Sequence, residues 1–194
     1  MSSPSIASLA ERRNDLSHRL ILESAVHLLE RSALSEVTAR AVAKHAGVSE
    51  RTVFRYFATR EELLDAIADE VRRRMQLPPP PASVAELLTA PRALYTAFEA
   101  TAELTKAALH TELFNRMRET QAKQRWVAVR QLVDAHAPRR PERDRRIAAA
   151  NIRYYLAATA WHYYRVYFGF SLEDSIAAAE TAVRQALDGL KRKS

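Results

Sequence analysis

The stretch from Thr38 to Phe57, TARAVAKHAGVSERTVFRYF, limits this chain more than any other, because it carries the signals of two short helices set around one glycine. Thr38 is a good N-cap, its hydroxyl able to accept a backbone N–H in the first turn of a helix whose inward positions are Val42, Ala43 and Ala46. Gly47, one of only three glycines, ends that helix, since a left-handed C′ position costs a Cβ-bearing residue energy that glycine avoids. Ser49 caps the next helix at once. The turn is then about three residues long, the length of a helix-turn-helix. A small residue at Ala43, the glycine at 47 and a branched apolar residue at Val53 let the two helices pack closely at a steep angle.

With Val53, Phe54 and Phe57 turned inward, helical spacing leaves Glu50, Arg51, Thr52, Arg55 and Tyr56 partly or wholly outward. These side chains suit a DNA groove. Arginine pairs with guanine edges, threonine and tyrosine bond phosphates or touch a thymine methyl, and Glu50 accepts from cytosine. A helical hairpin with a solvated polar face is the competing explanation.

Residues 16–67 resemble the DNA-binding domain of the tetracycline-repressor (TetR) family. The likeness rests on Ile21, Ala25 and Leu29 in a first helix, then Thr38, Val42-Ala43, Ala46-Gly47-Val48-Ser49, Thr52, Phe54, Tyr56-Phe57 and Arg60-Glu61-Glu62-Leu63-Leu64. It implies that Thr38 opens the second helix at a phosphate, with Arg40 near it. It also implies that Ser49, Glu50, Arg51, Thr52 and Arg55 lie on the groove-reading helix, while Tyr56 and Arg60 contact the DNA backbone. Three positions depart from the family pattern. Phe54 replaces a tyrosine, which removes one hydroxyl; Arg60 replaces a lysine; and Ala33 stands where glycine is common.

The net charge of +7 suggests an anionic partner, but its distribution matters more than its sum. Residues 1–77 hold twelve Lys and Arg against eleven Asp and Glu, whereas residues 38–60 set Arg40, Lys44, Arg51, Arg55 and Arg60 against Glu50 alone. One face is thus aimed at phosphate, and binding should depend strongly on salt. The absence of cysteine excludes disulfides and thiolate metal sites and suits a reducing cytoplasm. No metal set or cofactor motif stands out; His18, His27 and His45 lack ligand spacing and read as surface or packing residues. The Ser-rich start has no secretory pattern, and the aromatic run 154–170 contains His162 and Arg165, so it reads as a buried helix and no membrane partner is expected.

Taken in order, the pattern predicts an all-α chain. Residues 1–15 form a disordered arm, 16–77 a helix-turn-helix domain with its connecting helix, 78–82 a proline-rich linker and 83–194 a helical body. Leu16–Arg31 is amphipathic through Leu20, Ile21, Ala25, Leu28 and Leu29. Thr59 caps a helix from Arg60 that must stop before Pro78. In the body, 83–88 forms a short helix and Pro91 opens another. Residues 111–117 are ambiguous, 121–136 are helical, and Arg139, Arg140, Arg143, Arg145 and Arg146 make either a solvated basic loop or an acidic-ligand site. A helix over 143–168 is apolar on nearly every face, and the last carries Ile176, Ala179, Val183, Leu187 and Leu190 in a stripe that wants a partner helix. The resemblance implies that these two helices pair with their copies in a homodimer, through Tyr154, Ala158, Trp161 and that stripe. An intrachain core is the alternative.

These features predict a homodimeric, cytoplasmic regulator of transcription. Its partners are a palindromic double-stranded operator and a small-molecule effector whose binding shifts the population away from the DNA-matching state. Repression, rather than activation, is what the resemblance implies. Pocket candidates are Phe98, Thr101, His110, Asn115, Trp126, Tyr155, His162 and Tyr163, which mix apolar walls with a few polar groups, although core packing explains each of them equally well. The rival functions are a helical protein-interaction module and a small helical enzyme built on His162. No nucleophile, phosphate loop or dinucleotide motif supports the second, and no catalytic residue is assigned.

Overall fold

The computed structural model describes residues 9–109 and 111–191, and among these residues every regular element is helical. The chain divides into two compact units, 1–71 and 72–194. The division falls inside a helix, earlier than the proline run at 78–81.

The first unit opens with α1, Leu9–Arg31. The helix begins seven residues before the predicted Leu16, so the expected arm to residue 15 is too long; residues 1–8 lie outside the described part. The cause is local, because Leu9-Ala-Glu-Arg-Arg13 consists of good helix formers without glycine or proline. Ile21, Ala25, Val26 and Leu29 are buried, whereas Leu20, expected inward, is 42% exposed. A single 3₁₀ turn, Leu34–Glu36, leads to α2 (Ala39–Ala46), α3 (Glu50–Tyr56) and α4 (Arg60–Met75). In α4, the amide of Glu62 donates to Thr59 Oγ1 while Glu62 Oε2 accepts from the amide of Ala58, a reciprocal cap. Leu63, Leu64, Ile67 and Val71 form its buried stripe.

The second unit contains α5 (Val84–Ala100), α6 (Ala102–Leu109), α7 (Glu112–His136), α8 (Glu142–Tyr155), α9 (Ala158–His162), a π-helical turn (Tyr163–Tyr167) and α10 (Leu172–Gly189). Pro91 lies inside α5 rather than at the start of a separate helix. Ser83 caps that helix by accepting from the amide of Glu86, and Leu87, Leu94, Tyr95 and Phe98 bury one continuous face across the proline. Burial on both sides thus outweighs the lost N–H at 91. The ambiguous 111–117 segment belongs to α7.

The single helix expected over 143–168 is broken at Leu156 and Ala157, and its last turns widen to the π form. Glu99 on α5 holds this segment. Its carboxylate accepts from Trp161 Nε1 at 3.0 Å and from Arg165 Nε at 3.0 Å and Nη2 at 2.6 Å, while Arg165 Nη1 donates to the Phe170 carbonyl. The expected all-round burial fails at the far end, where Tyr163, Val166, Tyr167, Phe168 and Phe170 are 38–63% exposed.

The stripe on α10 is corrected most sharply. Ile176, Ala179 and Val183 are 0% exposed, Leu187 2% and Leu190 5%, with α10 packed on α5 and α8 of its own chain. The partner helices that this stripe needs are therefore intrachain, and it is not available as a dimer face. Trp161, likewise 1% exposed, is core. The basic segment 139–146 is also resolved. Arg145 Nη1 lies 3.0 Å from Asp134, Arg140 Nη2 3.1 Å from Asp144, and Arg130 bridges Asp134 at 2.8 Å and Glu142 at 3.0 Å. These pairs clamp the α7–α8 turn, which leaves no acidic-ligand site in Arg140 and Arg145, while Arg139, Arg143 and Arg146 are exposed.

Two outcomes follow. Leu187→Ala, a large-to-small change in an intrachain core, should lower the free energy of unfolding by about 2–5 kcal/mol in urea titration without altering oligomeric mass. Hydrogen bonds from Arg165 hold the Glu99 carboxyl below its ordinary value. Its stabilisation is therefore complete above the ordinary value of 4.5 and lost as pH falls through the lowered one. Glu99→Gln should cost roughly 1.5–3 kcal/mol at pH 7, and the loss should shrink at pH 3, as read from urea midpoints.

Candidate nucleic-acid interface and internal cavity

The turn between α2 and α3 forms as its residues dictate. Thr38 Oγ1 accepts from the amide of Ala41 at 3.1 Å, and Ser49 Oγ accepts from the amide of Thr52 at 3.1 Å. Gly47 between them has φ +68°, and the amide of Val48 closes on the Ala43 carbonyl at 3.0 Å. Val42, Ala43, Val53 and Phe57 are buried. Phe54 is the exception: it is 49% exposed on the outer side of α3, not turned inward. Val53 and Phe57, one full turn apart, already fill the inner side of this seven-residue helix.

All ten predicted DNA-contact residues lie in the first unit. Thr38, Arg40, Lys44, Ser49, Glu50, Arg51, Arg55 and Arg60 are exposed; Thr52 and Tyr56 are half-buried. The outer side of α3 thus presents Arg51, Arg55 and the unpredicted Phe54, a ring that can lie against a thymine methyl or sugar.

Several of these side chains are engaged with one another. Arg40 Nε lies 3.9 Å from Glu50 Oε1, a loose and exposed ion pair that leaves the Glu50 carboxylate acceptor sites for a base. The hydroxyls of Ser49 and Thr52 share a 2.8 Å hydrogen bond. Arg55 lies over the Tyr56 ring at 5.0 Å. The Tyr56 hydroxyl donates to Asn14 Oδ1 at 2.7 Å, so its one proton reaches a phosphate only if that bond is released. Asn14 on α1, absent from the predicted set, therefore sets the state of Tyr56. Arg60 Nη1 donates to the Val37 carbonyl at 3.3 Å, which holds a cation beside the start of α2. Of the histidines, His18 packs on Tyr56 and Phe57, and His27 on His45.

The second unit holds a partly open cavity of about 590 Å³, within the range of roughly 300–1,000 Å³ usual for small-molecule sites. Phe98 and Trp126 line it as predicted from the sequence. Thr101, Asn115, Tyr155, His162 and Tyr163 do not, and His110 lies outside the described residues. Thr101 bonds the lining residue Thr105 at 3.2 Å, and Asn115 is exposed on α7. The Tyr155 carbonyl accepts from the Tyr95 hydroxyl at 2.9 Å, and burial raises the pKa of that hydroxyl above its ordinary value. His162 packs against the rings of Trp161 and Tyr167. Tyr154 and Ala158, expected at a dimer interface, are among the residues lining the cavity, and Tyr154 is also 50% exposed. Sequence reasoning missed Arg72, Arg125 and Arg153. A signal existed for Arg125, which lies four and eight residues before the buried Val129 and Val133 and so shares their side of α7.

Among the described residues no group of three or more His, Cys, Asp or Glu could hold a metal ion, and no helix is long and apolar enough to cross a membrane. Residues 21–67 match the model of the bacterial regulatory proteins of the tetR family. Over nearly its whole length the fold is similar to the crystal structure of NalD, the secondary repressor of the MexAB-OprM multidrug efflux pump in Pseudomonas aeruginosa. The identity is 16%, the TM-score 0.58, and the alignment covers 91% of this chain and 96% of that one. It is also similar to BioQ of Mycobacterium smegmatis, with 19% identity, a TM-score of 0.52 and coverage of 88% and 95%. At these identities the likeness is one of fold. The capped, glycine-turned helix pair with an arginine-bearing outer side lies within residues 21–67, the stretch that matches the tetR-family model, and gives this chain the DNA-binding domain of a TetR-type transcriptional regulator.

Proposed function

We propose that the protein is a homodimeric, cytoplasmic repressor that holds a palindromic operator through α3 and releases it when a small molecule fills the cavity of the second unit. Regulators of this family bind operators as dimers and respond to small molecules. The observation that carries the ligand-release part is the run of α4. It is one helix, Arg60–Met75, whose first turns supply Leu63, Leu64 and Ile67 to the core of the first unit and whose last turn supplies Arg72 and Met75 to the cavity wall. A ligand that prefers one placement of that last turn biases the placement of the whole helix, and DNA affinity falls by the coupling free energy.

The dimer needs a surface other than the α10 stripe. The rings of Tyr163, Tyr167, Phe168 and Phe170, with Val166, provide a connected exposed apolar patch, with neighbouring centroids 4.8–6.3 Å apart. Such a patch is costly to leave in water, and a second copy covering it supplies the two-fold symmetry of a palindrome.

Footprinting genomic fragments tests the reading role. Arg51→Ala and Arg55→Ala should each weaken the protected site by about 1–3 kcal/mol, and the protection should fade steeply with salt. Protection indifferent to both variants would reject α3 as the reader. Sedimentation tests the patch: Tyr167→Asp with Phe168→Asp changes side chains 63% and 59% exposed, so the fold should survive while dimers become monomers. An unchanged mass would exclude this surface.

A further inference from the structure

The wall of the cavity carries three guanidinium groups, from Arg72, Arg125 and Arg153, and no carboxylate. Arg72 and Arg153 engage partners of their own. Arg125 is different. It is half-buried on α7, its Nη2 donates to the carbonyl of Pro78, and no ion pair reaches it among the described residues. Burial alone acts on its guanidinium and draws its pKa below the ordinary value, with no carboxylate to oppose the shift. Further along the same helix Arg130 has both Asp134 and Glu142, and on α8 Arg145 has Asp134. Carboxylates thus flank the α7–α8 turn, whereas none of the described residues lining the cavity carries one. A partly desolvated cation without a counter-ion is unfavourable, and an incoming anion removes that penalty.

We propose that the cavity takes an organic anion, its carboxylate paired with Arg125 and its apolar body laid against Phe98 and Trp126. The inference rests on the cavity being the effector site, and it narrows the effector to a chemical class. One edge of the guanidinium is held by Pro78, which fixes the plane of the fork, and the remaining N–H groups are left for a two-point contact with a carboxylate. Leu94, Leu109 and Leu156 complete an apolar wall on which the body of the ligand loses water. Thr105, 1% exposed, turns its hydroxyl to Thr101 and to the Phe98 carbonyl, so the arginines dominate the polar recognition. A cationic compound of the same size meets the like charge of Arg125.

The test uses full-length protein and a matched set of probes: 2-naphthoate, 2-naphthalenemethanol and 2-naphthylmethylammonium, with decanoate and decanol as a second shape. Calorimetric titration should give each carboxylate at least tenfold tighter binding than its alcohol, and the ammonium should be weakest. Arg125→Met should bring the carboxylates down to the level of the alcohols and leave the alcohols unchanged, while Arg125→Lys should retain part of the preference. Circular dichroism and thermal midpoints establish that the variants are folded. The proposal is overturned if alcohol or ammonium binds as well as carboxylate, if Arg125→Met keeps the preference, or if neither carboxylate binds. Operator release is measured separately. A carboxylate that binds through Arg125 without releasing DNA leaves the anion site standing and refutes ligand-driven release.

Discussion

One left-handed residue makes the reading head possible. At φ +68° Gly47 turns the chain between α2 and α3, and a Cβ built there would meet nothing within 4 Å. The constraint therefore lies in the local backbone and not in packing against other residues, of the order of 1–2 kcal/mol for an L-residue. Its leverage exceeds its size. The turn brings the buried Ala43 and Val53 into one core and leaves Arg51, Phe54 and Arg55 on the opposite side of a helix only seven residues long. So short a helix is not stable by itself in water. Ser49 at its start and the packing of Val53 and Phe57 hold it in shape, and the chemistry it displays is a by-product of what it buries.

In the second unit the corresponding role belongs to Glu99. A carboxylate that accepts from an indole and from two nitrogens of an arginine satisfies most of its lone pairs within the protein, and this offsets the cost of placing it on the partly buried side of α5. Because Arg165 also reaches the Phe170 carbonyl, the same carboxylate anchors the π-helical turn and the start of the loop after it. A turn wound five residues to the bond changes the phase of the side chains that follow. Trp161 stays in the core while Tyr163, Val166 and Tyr167, only a few positions later, point to solvent. Glu99 thus ties the buried tryptophan and the π-helical turn to α5, beside the exposed ring patch.

The first unit was largely legible in the sequence because its signals are local. Caps, the turn glycine and spacings of three and four residues act within a single helix, so Thr38, Gly47, Ser49 and Thr59 could be assigned their roles without tertiary information. Phe54 was missed because Val53 and Phe57 leave its position at the edge of the inner side, where neighbouring helices decide exposure. The second unit was less legible for the same reason in reverse. Apolar period says that the α10 stripe is covered, but not whether α5 and α8 of the same chain or a second copy covers it. Pro91 inside α5 and the break at Leu156 also depend on what is buried around them, and composition does not record that. The cavity hides best of all, since a void is defined by side chains that six helical segments bring together; only Arg125, a charge in phase with valines, marks it.

How an anion in the second unit could reach the DNA-binding face is a question of range. Direct charge repulsion between effector and phosphates is one route, because both are negative and the chain carries +7. In physiological salt, however, exposed charges are screened beyond about 8 Å. Between Arg60 and Met75, α4 alone rises by roughly 20 Å at about 1.5 Å per residue. The charge of the proposed ligand would therefore act locally, on Arg125, where water is partly excluded and the interaction is strong. What travels further is the placement of a helix. Met75, 5% exposed at the end of α4, meets the same cavity that the ligand fills, and its neighbours one and two turns back, Val71, Ala68 and Ile67, are 0–1% exposed in close-packed surroundings. In the proposed release, such packing along α4 would pass a shift on instead of absorbing it. In the proposed release, the charge of the effector would select what binds and its volume would decide what moves.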